Sequence, residues 1–158
     1  MRDDDVLDAD TYGFLMAASG AGSLVSALAI AFFMRPTMRL LLAGTAAIGA
    51  GFIGLSMVVT LPLDLVLMFI VGFGVIAMAA TTNTTIQLST PDALRGRVMS
   101  VYTTVFAGSV PFGGLFSGYL AAVYGVQFAL AVGGVIALLT VVGAAFWLRR
   151  PVPSALPA

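Results

Sequence analysis

The chain has 158 residues, of which 60% are hydrophobic and 9% charged, and its seven arginines balance seven aspartates. Soluble domains carry about 25% charged residues, so this composition cannot cover a water-facing surface and points to lipid as the solvent. The absence of Cys and His excludes disulfides, thiolate or imidazole metal sites and a Ser-His-Asp triad, and the zero net charge offers no basic patch for nucleic acid.

The start of the chain does not match a secretory signal. Met1-Arg2 is followed by Asp3, Asp4, Asp5, Asp8 and Asp10, whereas a signal needs a basic start and a short apolar core. Residues 1–10 read as an acidic outer loop. Five apolar stretches follow, at about 11–34, 39–60, 62–88, 97–123 and 127–148. Each exceeds the roughly 20 residues that span about 30 Å of hydrocarbon. Backbone in lipid must satisfy its own hydrogen bonds, so long apolar runs predict helices. The alternation of a membrane β-barrel is missing. The expected fold is therefore an all-α membrane protein of five spans.

The links are short: Arg35-Pro36-Thr37-Met38, Leu61-Pro62-Leu63-Asp64, Ser89-Thr90-Pro91-Asp92 and Tyr124-Gly125-Val126. Short links make successive helices antiparallel. Arg35, Arg39, Arg95, Arg97, Arg149 and Arg150 then share one side, and Arg2 and Asp64 lie on the other. By the positive-inside bias, the N-terminus is outside and the C-terminus cytoplasmic. The proline-rich residues 149–158 form a cytoplasmic tail.

Eighteen glycines in a helical chain call for close helix approach, because Gly disfavours helix interiors by about 1 kcal/mol against Ala. Ser19, Gly22, Ser23 and Ser26 share one side of the first span. Gly44, Ala47, Gly51 and Gly54 form a stripe on the second. The fourth carries Ala107, Pro111, Gly114, Gly118 and Ala122. These stripes read as packing, or as flexing during transport, with Pro111 removing one backbone bond. Gly72-Phe-Gly74-Val-Ile-Ala77 fits a dinucleotide fingerprint by chance, lacking a preceding strand and a following acid. Asn83-Thr84-Thr85 fits a glycosylation sequon but falls near the cytoplasmic side.

The most polar stretch is TTNTTIQLSTPDALRGRVMS, residues 81–100. Asn83 and Gln87 share a helix face that Gly72, Ile76 and Ala80 continue. Amides are costly in lipid, so this face either bonds to neighbouring helices or lines a cavity. The threonines can bond carbonyls one turn back. Thr90 can cap the next helix, Pro91 suits its first turn, and Asp92 favours its positive end. Arg95 can pair with Asp92 three residues before it. Asp92, Arg95 and Arg97 read as a positive-inside anchor or as a cytoplasmic gate.

The pattern Asn83-x-x-x-Gln87, Pro91-Asp92-x-Leu94-Arg95-Gly96-Arg97-Val98-Met99-Ser100, then Gly108-x-x-Pro111-x-Gly113-Gly114 and Gly118, resembles the major facilitator superfamily. More narrowly, it resembles the branch of enterobactin-exporter-like carriers called transmembrane secretion effectors. Tyr12-Gly13-Phe14-Leu15-Met16-Ala17-Ala18-x-Gly20-x-Gly22 resembles the start of that family's eighth helix. The resemblance runs from about Val6 to Trp147 and implies that the five helices correspond to helices eight to twelve of a twelve-helix fold. It implies helix-packing or flexing roles for Gly108, Pro111, Gly113, Gly114 and Gly118. The charged link between the family's eighth and ninth helices is reduced here to Arg35-Pro36-Thr37-Met38-Arg39.

The expected function is the C-terminal part of a secondary active transporter. By the resemblance, it exports small organic molecules of drug or siderophore type by alternating access, from a multi-pass position in the cell membrane. No Asp, Glu or Arg lies mid-span, so a proton relay would reside in the missing helices. Candidate cavity residues are Asn83, Gln87, Tyr102, Ser109 and Ser117. Tyr102, Phe106, Ser109, Gly113 and Ser117 share one side of the fourth span, and an aromatic and hydroxyl lining suits amphipathic substrates. The alternative is a non-transporting membrane subunit, or a split half that needs a partner chain. Its mark would be an unpartnered glycine-rich or polar face on the first and fourth spans. An enzyme is not expected, since no carboxylate pair or base accompanies a nucleophile in the helices. No cofactor or metal is expected. The partners are the bilayer, a small organic substrate, and the missing N-terminal helices or a partner chain.

Overall fold

A computed structural model describes the backbone of residues 3–32, 35–57 and 60–148, and side chains within those ranges from Asp10 onward. It contains α1 (Asp3–Phe32), α2 (Met38–Met57), α3 (Leu61–Ser89), α4 (Asp92–Tyr124) and α5 (Val126–Leu148). All five are long and apolar enough to cross a membrane, and no strand occurs among the described residues. Arg2, Arg149, Arg150 and the tail 151–158 lie outside the described residues, so the charge bias rests here on Arg35, Arg39, Arg95 and Arg97.

Two helix starts differ from the sequence expectation. The acidic residues assigned to a loop are helical from Asp3, while the apolar span begins at Asp10. Acidic residues are favoured in the first turns of a helix, where the dipole is positive. α4 starts at Asp92 rather than near residue 97. Its first turns carry Asp92, Arg95 and Arg97, so apolarity does not mark them.

The corner between α3 and α4 corrects the capping assignment. Thr90 closes α3: its N–H bonds the Gln87 carbonyl at 3.4 Å, and its hydroxyl bonds the Ile86 carbonyl at 2.6 Å. Pro91 takes the N-cap position of α4 with ψ 144°, and no side chain caps that end. An extended proline ends one helix and starts the next with no room for a Thr90 cap. At the other end of α4, Gly125 has φ 93° and turns the chain into α5. That conformation strains any residue with a Cβ.

α3 is the hub. It packs against α1 and α2, α2 also packs against α5, and α4 rests on α5 and only brushes α3. Small residues make these approaches possible. A Cβ on Gly22 would collide with the Phe69 carbonyl, and one on Gly72 with the Ser19 carbonyl. Ser23 Oγ donates to the Gly72 carbonyl at 3.1 Å. The stripe on α2 faces α3: a Cβ on Gly44 would lie 2.9 Å from the Gly74 carbonyl oxygen, and one on Gly54 2.9 Å from Leu67 Cδ2. Gly49 points instead at α5, where its Cβ would lie 2.9 Å from Leu138. Gly44 therefore meets the later part of α3 and Gly54 the earlier part, which fixes α2 and α3 as antiparallel. The links α1–α2 and α3–α4 lie at one end, as the short connections require.

The string Gly72-Phe-Gly74-Val-Ile-Ala77 now has a physical role. Gly72, Gly74 and Ala77 are buried where α3 meets α1 and α2, and they hold no nucleotide loop.

α4 stands apart. None of its residues is buried. A Cβ on Gly108, Gly113, Gly114 or Gly118 would meet nothing within 4 Å. The helix also runs unbroken through Pro111. The packing role expected for these residues is thus not exercised against any described helix. Of the two helices expected to carry an unpartnered face, α4 is open throughout, whereas α1 is covered by α3 on its Gly22–Ser23 side and open at Gly13 and Gly20.

Candidate functional site: the groove between α3 and α4

Because α3 and α4 meet at their corner and barely touch above it, a groove of 510 Å³ opens between them. Small-molecule sites fall at about 300–1,000 Å³. On the α3 side it is lined by Ala79, Ala80, Asn83 and Thr84, and on the α4 side by Tyr102, Thr103 and Phe106. The helical period explains the set, since 79, 80, 83 and 84 share one face of α3, and 102, 103 and 106 one face of α4. The face expected to run from Gly72 to Gln87 is therefore divided. Its Gly72 end is packed on α1, and only its Ala80–Asn83 end opens to the groove.

Asn83 and Gln87 bond to each other: Gln87 Nε2 donates to Asn83 Oδ1. This fixes two amides along one face of the exposed end of α3 without help from another helix. Tyr102 and Phe106 stack one turn apart, with ring centroids 5.8 Å apart and planes inclined by 27°. The threonines behave individually. Thr82 and Thr85 bond back to the Met78 and Thr81 carbonyls at 2.8 and 2.7 Å. Thr81 is fully buried with its hydroxyl unpartnered.

Gln87, Ser109 and Ser117 do not line this groove. Ser109 is exposed and bonds the Phe106 carbonyl at 2.8 Å. Ser117 bonds the Gly113 carbonyl at 2.9 Å and borders a second, mostly apolar groove of 410 Å³ with Phe52, Gly118, Ala129 and Gly133. One side of α4 thus faces two different neighbours along its length. Sequence reasoning did not include Ala79, Thr84 and Thr103, although the first two sit within one helical turn of Asn83. It also missed a groove of 610 Å³ at the opposite end, where Tyr124 and Phe128 have centroids 5.1 Å apart beside Gln127. Paired aromatics at a span end were the available signal, since such rings favour the interface.

At the corner, Arg95 Nη2 reaches Asp92 Oδ1 at 2.6 Å, and Arg95 Nε donates to the Gln87 carbonyl at 3.2 Å. Arg95 therefore ties the start of α4 to the end of α3, just past the amide pair. Arg97 is exposed on the following turn. None of the described Asp or Arg residues lines the groove itself, and no metal-ligating cluster occurs among the described residues.

A family model described as transmembrane secretion effector matches residues 1–156. The chain belongs to the transmembrane secretion effectors of the major facilitator superfamily. Five membrane-length helices agree with a multi-pass member of this transporter family. No curated protein and no solved structure matches the chain significantly. None of the described charged residues lines the open groove between the two spans, and the Arg95 tie joins those spans at their shared corner.

Proposed function

We propose that this secretion effector chain forms the C-terminal wall of a secondary carrier that exports small organic molecules by alternating access, and that it is not an enzyme. The observation that carries the proposal is the exposure of α4. It contributes no buried residue to the bundle, yet bears one side of a groove that also displays Asn83. A helix whose rings and glycines are uncovered within its own bundle has the surface that an opposing half of a carrier would cover. The remaining helices, on the same polypeptide or on a partner, supply that half and any proton relay. Substrates of drug or siderophore type fit the groove's size.

Asn83, Gln87 and Tyr102 bind substrate in this account. Asp92, Arg95 and Arg97 act as the cytoplasmic gate, and Gly108, Pro111, Gly113, Gly114 and Gly118 let the opposing half approach. Ser109 and Ser117 would reach substrate only along the same opposing face. The location is the cell membrane, with the N-terminus outside and the C-terminus cytoplasmic. The placing of Arg35, Arg39, Arg95 and Arg97 at one end of the bundle supports that orientation.

The test is dye efflux. Deleting the coding segment from its native locus should slow expulsion of Nile red from energised cells, and restoring it should recover the rate. Unchanged retention would reject transport. The same α4 face favours a second reading, a subunit that serves a partner without moving substrate itself. In that case the deletion would change the partner's abundance, and Asn83→Leu, which spares the α4 face, would have no effect on efflux.

A further inference from the structure

We infer that the groove between α3 and α4 selects uncharged, flat aromatic compounds that carry a hydrogen-bonding group; this deepens, and rests on, the reading of that groove as the substrate surface. Three features lead there. The first is shape. Tyr102 and Phe106 present stacked rings along α4, and the facing part of α3 is kept low by the methyl side chains of Ala79 and Ala80. A ring wall across from a low wall suits a flat guest, which can stack in offset fashion on the Tyr102–Phe106 pair.

The second feature is the polar inventory. The Gln87 amide donates to the Asn83 side-chain oxygen, which leaves the Asn83 amide nitrogen, on the groove lining, for a ligand. The hydroxyls of Tyr102 and Thr103 make no hydrogen bond to another described residue. Donors and acceptors thus stand together at one end of the ring wall, which matches a ring with a phenol, amide or ketone substituent.

The third feature is the absence of charge. None of the described Asp or Arg residues lines the groove. The nearest cation in sequence, Arg95, is already engaged by Asp92 and by the Gln87 carbonyl. An ion brought into such a groove would lose water and gain no counter-charge from this wall, which is costly. A neutral ring pays no such penalty.

The test uses the full chain in lipid nanodiscs and two dyes with the same rings. N-phenyl-1-naphthylamine is neutral, and 8-anilino-1-naphthalenesulfonate adds one sulfonate. With empty nanodiscs subtracted, the neutral dye should bind saturably and the anionic dye should not. Tyr102→Ala should weaken the neutral dye by about tenfold, and Tyr102→Phe should retain it. Equal saturable binding of both dyes would overturn the inference. So would neutral-dye binding that Tyr102→Ala leaves unchanged, or that Tyr102→Phe abolishes. Failure of this inference is separable from failure of transport. Charge-blind binding with intact Nile red efflux rejects the substrate class alone, and selective binding without efflux rejects transport alone.

Discussion

Gly44 and Gly74 face each other across α2 and α3 with no room for a side chain on either. A Cβ on Gly44 would lie 2.9 Å from the Gly74 carbonyl oxygen, and a Cβ on Gly74 would lie 2.6 Å from the Gly44 carbonyl oxygen. The obstacle in both cases is backbone, which cannot rotate away. Gly74→Ala should therefore force the helices apart and destabilise the bundle by about 1–3 kcal/mol. Thermal unfolding in detergent, followed by circular dichroism, checks this. An unchanged midpoint would mean that the two helices do not approach so closely.

Gly113→Ala should behave in the opposite way. Nothing lies within 4 Å of the added methyl, and Ala is favoured over Gly in a helix interior by about 1 kcal/mol. The same unfolding measurement should show equal or higher stability. If Gly113 lies where an opposing half approaches, Gly113→Leu should reduce efflux while leaving that stability intact.

The Asp92–Arg95 pair is exposed, with side-chain accessibilities of 88% and 44%. Solvent screening limits such a pair to about 0–1 kcal/mol. Arg95→Ala should thus shift the unfolding midpoint little. The gate role predicts a several-fold loss of efflux despite that, because the same guanidinium holds the end of α3 through the Gln87 carbonyl. Equal efflux in Arg95→Ala would reduce Arg95 to an anchor.

The fold was largely legible because lipid makes a simple demand. Long apolar runs must become helices, and the five runs did. Boundaries were lost where a helix carries polar turns beyond its span, as at Asp3 and Asp92. The stripe Gly44, Gly51 and Gly54 announced a close approach, but a stripe does not name its neighbour. Gly49, two residues from Gly51, faces α5 instead of α3. The site was half legible. Asn83 and Tyr102 stand out because an amide and a phenol are costly in lipid, and they do line one groove. Ser109 and Ser117 lie outside that groove, and each satisfies its hydroxyl on its own helix backbone, as a helical serine can. The rotation of α4 against its neighbours depends on contacts that no local pattern encodes.

A transport surface between α3 and α4 would hold water and substrate rather than lipid. The chain has no cysteine, so single cysteines can be introduced without background. Asn83→Cys and Thr103→Cys, on opposite walls of the groove, should react quickly with a small charged methanethiosulfonate in native membranes, and excess Nile red should protect them. Leu139→Cys, exposed on the outside of α5, should stay unreactive. If the groove positions prove as inert as residue 139, they face hydrocarbon, and the groove is not a transport surface.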